Sequence, residues 1–264
     1  MQTNFETLTF TRPADHIGLV TLNRPDALNA LNTRMGEDLV ALFERFSLDT
    51  EDLRCLILTG TGERAFCAGG DLKQRNGMTN EAWSAQHRVF ERMVRALLDC
   101  PLPLVGAVNG AAFGGGCEIA ACCDFLYAAE KARFALPEAK LGIMPGGGGT
   151  QTVSRAVGER RAKELILTGT PFSAQEAQAW GLVNQVLPAD QLMPRAMQTA
   201  QLIAANAPMS TRQVKQAIGR GLRMSLPDGL AFEIEAYNML VGTEDRREGV
   251  LAFNEKRAPR FQGR

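Results

Sequence analysis

Short aliphatic runs alternate with amphipathic helical stretches over the first two-thirds of this 264-residue chain. The strand-like runs are bounded by Gly, Pro, Asn or Asp, and they occupy residues 16–22, 55–59, 104–108 and 125–128. Between these runs, apolar residues recur at helical spacing. One predicted helix follows a cap at Asn32 or Thr33 and has the apolar face Met35, Leu39, Leu42, Phe43 and Phe46. A second has the apolar face Phe90, Met93, Val94 and Leu97. Strand, helix and strand at this spacing require crossover connections, so we expect an α/β protein with a largely parallel sheet.

The last quarter of the chain has a different pattern. A helix over 162–168 that ends at Gly169, a capping box at Ser173 and a strand over 182–187 complete the alternation. Almost everything beyond Pro188 is helical, with helices predicted over 191–206, 210–223, 226–241 and 244–256. We therefore predict an α/β core of residues 1–190 and a helical C-terminal segment of residues 191–264. The many apolar residues of these late helices must cover a core or another subunit, which favours a homo-oligomer.

Composition narrows the classes of function. The 29 acidic and 29 basic residues balance, which argues against a broad nucleic-acid-binding surface. The six cysteines follow no metal-ligand spacing and are expected to be free thiols that pack as small hydrophobes. No apolar run reaches the ~18 residues of a membrane span, and the N-terminus has no signal-peptide pattern. The sequence predicts a cytoplasmic protein that binds neither membrane nor nucleic acid.

Two glutamates lie beside glycine-rich turns and indicate acid–base chemistry. Glu118 follows three consecutive glycines after a predicted strand, and Glu138 precedes the glycine run 146–149. Another turn with paired glycines, residues 64–72, follows the strand at 55–59. Glycine turns let the backbone approach a ligand and offer N–H donors, while a neighbouring carboxyl group can move a proton. The pattern predicts a site that forms and protonates an oxyanion without a metal.

Alternative interpretations of these features stay open at this point. The glycines of 114–116 could merely allow close packing of a helix on a strand, and Glu118 and Glu138 could face solvent and cap a turn. Other catalytic schemes have little support, because His16 and His87 are the only histidines and neither has a nucleophile pattern around it. No metal-ligand cluster and no dinucleotide-binding GxGxxG turn occurs, and no Gly-Lys-Ser/Thr follows the glycine run.

Five motifs in order resemble the enoyl-CoA hydratase/isomerase (crotonase) family. They are LNRPDALNAL at 22–31, AFCAGGDL at 65–72, NGAAFGGGCE at 109–118, PEAKLGIMPG at 137–146 and AFNEKR at 252–257. The resemblance implies a spiral of ββα units with a C-terminal helical trimerisation segment, usually assembled as a hexamer of two trimers. It implies an acyl-CoA thioester as the substrate and no separate cofactor, since coenzyme A is part of that substrate.

The resemblance also implies roles for individual residues. The backbone N–H groups of Gly70 and Gly115 match the oxyanion hole, Glu118 and Glu138 match the two glutamates of the hydratases, and Gly146 matches a glycine that helps to position water. Residues matched to the coenzyme A site are Arg24, Ala27, Leu28, Ala68, Asp71 and Lys256. The chain departs from the family at Gly70, where alanine is more frequent, and at Asp26, where lysine or glutamate is common, so that Arg24 or C-terminal cations would have to compensate at the phosphates.

The predicted reaction is reversible hydration of a trans-2-enoyl-CoA to a 3-hydroxyacyl-CoA. The alternatives are a Δ3-Δ2-enoyl-CoA isomerase or another acyl-CoA-processing member, which can use a single base, and a non-catalytic homologue that binds acyl-CoA or RNA. Residues 72–90, with Met78 and Trp83, are expected to shape the pocket for the acyl tail. The sequence leaves open the length of that tail and the choice among fatty acid metabolism, amino-acid catabolism and aromatic catabolism.

Overall fold

The computed structural model describes residues 5–264, which form two β-sheets surrounded by helices. The strands are β1 Leu8–Ala14, β2 Ile17–Leu22, β3 Cys55–Gly60, β4 Ala65–Cys67, β5 Leu104–Val108, β6 Ala111–Phe113, β7 Phe125–Ala129, β8 Arg133–Ala135, β9 Phe172–Ser173 and β10 Gln185–Leu187. The helices are α1 Thr33–Leu48, α2 Leu72–Arg75, α3 Asn80–Asp99, α4 Gly115–Ala120, α5 Gly149–Val157, α6 Glu159–Thr168, α7 Ala174–Ala179, α8 Ala189–Ala204, α9 Pro208–Gly221, α10 Leu226–Val241 and α11 Glu244–Glu255.

The larger sheet has six strands in the order β1-β2-β3-β5-β7-β10. Only the β1–β2 pair is antiparallel, and every other neighbouring pair in this sheet is parallel. The predicted α/β class and its four early strands are therefore confirmed. The strand predicted over 182–187 is shorter, because the N–H groups of Leu182 and Val183 both donate to the Ala177 carbonyl at the end of α7.

The smaller sheet was not predicted, and it has the order β4-β6-β8-β9. Strands β4, β6 and β8 are parallel, with Cys67 paired to Ala112 and Phe113 paired to Ala135. Because parallel strands end at the same edge, the turns that follow β4, β6 and β8 lie side by side. These turns carry Gly70, Gly115 and Glu138, so this sheet brings the predicted site together.

Helices cover both faces of the larger sheet. The predicted apolar faces of α1 and α3 are buried in one core cluster, and the Asn32 side chain accepts a hydrogen bond from the Met35 N–H as the N-cap of α1. The opposite face packs against α8, which contributes Leu192, Ala196, Ala200 and Ala204 at helical spacing. Small side chains on α8 allow it to approach the sheet closely.

The C-terminal helices agree with the sequence prediction to within two residues at each end. Helix α9 begins at Pro208 itself, since proline is well suited to the first position of a helix. An ion pair of 2.8 Å between Lys215 and Asp124 anchors α9 to the core. Large apolar side chains on this region stay uncovered, including Leu222 and Phe253, which are 85% and 83% exposed. No helix within residues 5–264 is long and apolar enough to cross a bilayer.

Close packing of α4 on β4 gives the first testable prediction. A Cβ atom on Gly116 would overlap the Cys67 carbonyl oxygen, whereas a Cβ on Gly219, in the last turn of α9, would meet nothing within 4 Å. We expect Gly116→Ala to lower the free energy of unfolding by roughly 2 kcal/mol. Gly219→Ala, the matched control, should raise it by about 0.5–1 kcal/mol. Urea unfolding at one protein concentration measures both values, and equal effects would contradict the packing argument.

Candidate active site

A cavity of about 610 Å³ opens at the edge of the smaller sheet. Its walls are the turns after β4, β6 and β8, the glycine run before α5, and one face of α3. Of the residues predicted to be catalytic, Gly70, Gly115, Glu118, Glu138 and Gly146 all line this cavity. Segments far apart in the sequence therefore contribute to one site.

Gly70 and Gly115 lie beside each other in the cavity wall. A Cβ on Gly115 would lie 3.9 Å from the Gly70 nitrogen. Hydrogen bonds from Leu31 N–H to the Gly69 carbonyl (2.7 Å) and from Asp71 N–H to the Leu31 carbonyl (2.9 Å) fix the turn on both sides of Gly70. Gly115 is the first residue of α4, where an N–H has no partner within the helix. Such a pair of donors can bind one anionic oxygen from two directions.

Glu118 is a buried carboxylate held by two peptide groups. Its side chain is on α4 and its Oε1 accepts hydrogen bonds from the N–H groups of Gly147 and Gly149, both at 2.8 Å. Burial raises the pKa of Glu118, and the two donors oppose that rise by stabilising the charged form. Gly148, with φ of 92°, supplies the left-handed turn between them. This use of the glycine run could not be predicted from the sequence, because an N–H donor has no side chain to mark it.

Glu138 has a different environment. It begins a 3-10 turn, is 8% exposed, and its Oε2 is buried without a hydrogen-bond partner among residues 5–264. Burial and, to a lesser extent, the negative charge of Glu118 raise the pKa of Glu138 to about 7. Gly114 leaves space for this carboxyl group, since a Cβ there would lie 2.9 Å from Glu138 Oε1. The interpretation of solvent-facing glutamates is therefore wrong, because both side chains are buried. Two peptide N–H groups donate to Glu118, whereas one carboxyl oxygen of Glu138 has no partner among residues 5–264.

The remaining predicted site residues lie around the cavity or outside it. Ala68 lines the cavity, whereas Ala27 belongs to a 3-10 turn and Leu28 follows it. The Arg24 guanidinium bonds to Asp71 at 2.9 Å and to the Ala30 carbonyl, so this ion pair holds the 24–31 segment against the Gly70 turn. Exposed Lys256 caps α11 away from the cavity. Coenzyme A binding by Arg24, Ala27, Leu28, Asp71 and Lys256 stays a prediction.

The expected acyl-tail segment is partly correct. Leu72, Trp83 and Phe90 line the cavity, but Met78 does not, because it lies in the loop between α2 and α3. His87 also lines the cavity, and a Cβ on Gly146 would meet its ring at 2.5 Å. Arg75, a half-buried cation at the end of α2, also lines this cavity, and it was not predicted from the sequence. No pattern of spacing marks it, since α2 is only four residues long.

Two buried carboxyl groups beside the backbone of Gly70 and Gly115 are an arrangement suited to acid–base chemistry on a carbonyl compound. The sequence comparison is more specific: residues 13–264 match the Enoyl-CoA hydratase/isomerase family, and the chain belongs to that family. It is 42% identical to the short-chain-enoyl-CoA hydratase of Clostridium acetobutylicum over 91% of this chain and 92% of that one.

Solved structures agree with this assignment. A crystal structure of an enoyl-CoA hydratase from Bacillus anthracis superposes with a TM-score of 0.96 at 40% identity, covering 98% of this chain and 100% of that one. DspI of Pseudomonas aeruginosa has a TM-score of 0.92 at 34% identity, with 97% of each chain covered. The predicted crotonase-type α/β fold with a helical C-terminal region is therefore confirmed.

The environment of Glu138 predicts a pH-dependent stability. Its pKa is higher in the folded protein (about 7) than its ordinary value of 4.5, so the folded state binds the proton more tightly. This group stabilises the fold below pH 4.5, and the contribution is lost as the pH rises through 7. Gln does not titrate, so the Glu138→Gln variant does not lose this contribution. Its free energy of unfolding minus that of the wild type should therefore increase by about 2 kcal/mol from pH 5 to pH 8. Urea unfolding at fixed protein concentration measures this difference.

Exposed Glu130 provides the matched control for that measurement. Glu130→Gln should follow the wild-type pH dependence, since its carboxyl group is in water in both states. If the Glu138→Gln and wild-type curves were parallel from pH 5 to pH 8, the burial argument for Glu138 would be wrong.

Proposed function

We propose that this chain catalyses the reversible hydration of a trans-2-enoyl-CoA to a 3-hydroxyacyl-CoA. One observation carries the proposal: two buried carboxyl groups in different environments face one cavity whose wall also has two backbone donors. Membership of the Enoyl-CoA hydratase/isomerase family supports an acyl-CoA thioester as the substrate. The name of the Clostridium relative supports hydration as the reaction.

The proposed mechanism begins with the thioester oxygen between the N–H groups of Gly70 and Gly115. Water adds to C3 while Glu118, the carboxylate held by Gly147 and Gly149, accepts a proton from that water. Electrons move from the C2–C3 double bond onto the thioester oxygen, and the two N–H donors stabilise this enolate. Glu138 then delivers its proton to C2, which restores the carbonyl group and completes the addition of water. Glu118 afterwards releases the proton that it accepted, and Glu138 takes one up from solvent, so that both groups return to their starting states.

The two carboxyl environments support this division of roles. A pKa of about 7 lets Glu138 hold a proton near neutrality and release it without a large energetic cost. Glu118 also lies in a buried site, but its two peptide donors favour the anion, which is the form that a base requires. In the reverse direction the roles exchange, so that Glu138 removes the C2 proton and Glu118 protonates the leaving hydroxyl group.

A Δ3-Δ2-enoyl-CoA isomerase is the second candidate within this family. Isomerisation moves one proton between C2 and C4, and a single base can carry it. The two hydrogen bonds from Gly147 and Gly149 to Glu118 favour hydration, because an isomerase does not need a second carboxylate held by two N–H groups. A purely acyl-CoA-binding or RNA-binding homologue would likewise have no use for two buried acids.

Glutamate variants test the reaction. We expect Glu118→Gln and Glu138→Gln each to lower kcat for hydration of trans-2-enoyl-CoA by about 10²–10⁴-fold, because each removes acid–base assistance while leaving the oxyanion donors in place. Affinity for the saturated acyl-CoA should change little. Loss of the enoyl absorbance band measures hydration, and a 3-enoyl-CoA assayed in parallel measures isomerisation.

Glu130→Gln serves as the control in these assays, since Glu130 lies outside the cavity. Near-normal hydration by Glu138→Gln would overturn its assignment as the acid. Rapid conversion of the 3-enoyl-CoA without any hydration would favour the isomerase, and no turnover of either substrate would favour a binding protein.

We further propose that residues 191–264 form a homo-oligomerisation segment in a trimer or a hexamer. The exposed apolar side chains of α9 to α11 support this role. Light scattering should give three or six chain masses at micromolar concentration, and Phe253→Glu should reduce that mass, because a charge would be buried at the interface. Leu48→Glu is the matched control, since Leu48 is 90% exposed on α1. A monomeric wild-type mass would refute the proposal.

A further inference from the structure

We propose that Arg75 makes this site selective for enoyl thioesters whose acyl chain carries a second carboxylate, which the guanidinium binds. This inference rests on the proposed function and names its class of substrate. Arg75 lines the cavity at the C-terminal end of α2. It lies between the turn that carries Gly70 and helix α3, in the segment expected to receive the acyl tail.

The Arg75 side chain is held in one orientation. Its Nε donates to Gln86 Oε1 at 2.9 Å. Gln86 is itself 3% exposed, and its amide nitrogen donates to Thr33 Oγ1 and Gln74 Oε1, both at 2.8 Å. The Arg75 Cζ also lies 4.5 Å from the ring centroid of Trp83 and 5.5 Å from that of Phe90. Aromatic faces orient a guanidinium without neutralising its charge.

No carboxylate in the described part of the chain, residues 5–264, forms an ion pair with Arg75. Within residues 5–264, Arg75 forms no ion pair within 4.0 Å, and its one hydrogen bond to another side chain uses Nε. The two terminal nitrogens, which form the bidentate fork that matches a carboxylate, are therefore uncommitted to any protein acceptor in the described chain. Arg24 is also half-buried, but unlike Arg75 it forms an ion pair, with Asp71 at 2.9 Å. A cation desolvated in an apolar pocket is costly unless an anion joins it.

Gly70 gives the position of the guanidinium relative to the reacting group. A Cβ on Gly70 would lie 3.2 Å from Arg75 Nη1 and 3.3 Å from Cζ, closer than side chains usually approach. Glycine at this position therefore leaves room for the Arg75 head group. Since the Gly70 N–H is the proposed donor to the thioester oxygen, a carboxylate on Arg75 lies only a few carbons from the thioester. The substrate class is a short enoyl chain with a terminal acid.

Arg75 could instead act on the glutamates. Glu118 and Glu138 are near enough for their charges to oppose the fall in the pKa of Arg75 that burial causes. In that case the loss of Arg75 would impair every enoyl-CoA equally. If Arg75 instead determines selectivity, its replacement should lower kcat/KM only for substrates that have the second carboxylate.

The test compares two five-carbon substrates that differ only at C5. trans-2-Pentenoyl-CoA ends in a methyl group and trans-glutaconyl-CoA ends in a carboxylate. We expect the wild-type enzyme to have the higher kcat/KM for glutaconyl-CoA. Arg75→Met should lower the ratio of the two kcat/KM values by about 10–100-fold, as expected for loss of a charge-assisted contact. Arg75→Lys, which keeps the charge but loses the fork, should recover part of that ratio.

Arg95→Met is the matched control, because Arg95 is an exposed cation of α3 outside the cavity. It should leave the ratio unchanged. Thermal unfolding checks that the variants fold, and Arg75→Gln provides a second neutral variant. An equal loss on both substrates, or a wild-type enzyme without preference for glutaconyl-CoA, would overturn the inference.

Binding of saturated analogues separates this inference from the proposed reaction. Calorimetry with glutaryl-CoA and pentanoyl-CoA should give tighter binding of glutaryl-CoA, and Arg75→Met should abolish that difference. If neither enoyl substrate is hydrated but this Arg75-dependent preference holds, the proposed reaction fails and the carboxylate site stands. If hydration occurs but the preference is absent in both assays, the carboxylate site fails and the reaction stands.

Discussion

Parallel pairing of β4, β6 and β8 is the constraint on which the site depends. These three-residue strands end at one edge of the smaller sheet, so the turns that follow them meet although they are far apart in the chain. These turns carry the two proposed donors, the N–H groups of Gly70 and Gly115, and the carboxyl group of Glu138. The backbone ladder fixes all three positions, and the contact of Gly116 with the Cys67 carbonyl seats α4 against β4. The donors are thus held by the fold before any ligand arrives, which is the condition for effective stabilisation of an oxyanion.

The same fold gives the two chemically identical carboxyl groups of Glu118 and Glu138 different environments. Burial disfavours the charged form of both, but only Glu118 receives two peptide donors that offset this effect. Glu138 keeps an oxygen without a partner and has a pKa near neutrality. A pair of groups whose environments push their pKa values apart is suited to act as base and acid in one reaction. The difference arises from backbone geometry, since the glycine run 146–149 provides two N–H donors to Glu118, whereas the turn after β8 offers the carboxyl group of Glu138 its own backbone N–H.

Strong periodicity explains what the sequence could predict. The faces of α1 and α3, the caps at Asn32 and Ser173, and the strands of the larger sheet all follow from side-chain patterns several residues long. Both glutamates were found because glycine turns flank them. The strands of the smaller sheet are too short to show a period, and the clamp on Glu118 is made by N–H groups that no residue type reveals. Arg75 was missed because its partner Gln86 is 11 residues away and belongs to another helix.

Charge balance in the cavity ties Arg75 to the proposed chemistry. Burial raises the pKa of both Glu118 and Glu138, and the positive charge of Arg75 lowers the pKa of both against that rise. An acyl chain with a second carboxylate would bring a negative charge close to Glu118, and the reaction would place a further negative charge on the thioester oxygen. In a pocket of low polarity such like charges repel strongly unless a cation lies between them. Arg75 lies beside Gly70, the residue proposed to bind that oxygen, so its positive charge weakens the repulsion between the two. A neutral acyl chain makes no such demand, and for it a half-buried guanidinium only removes apolar surface from the pocket.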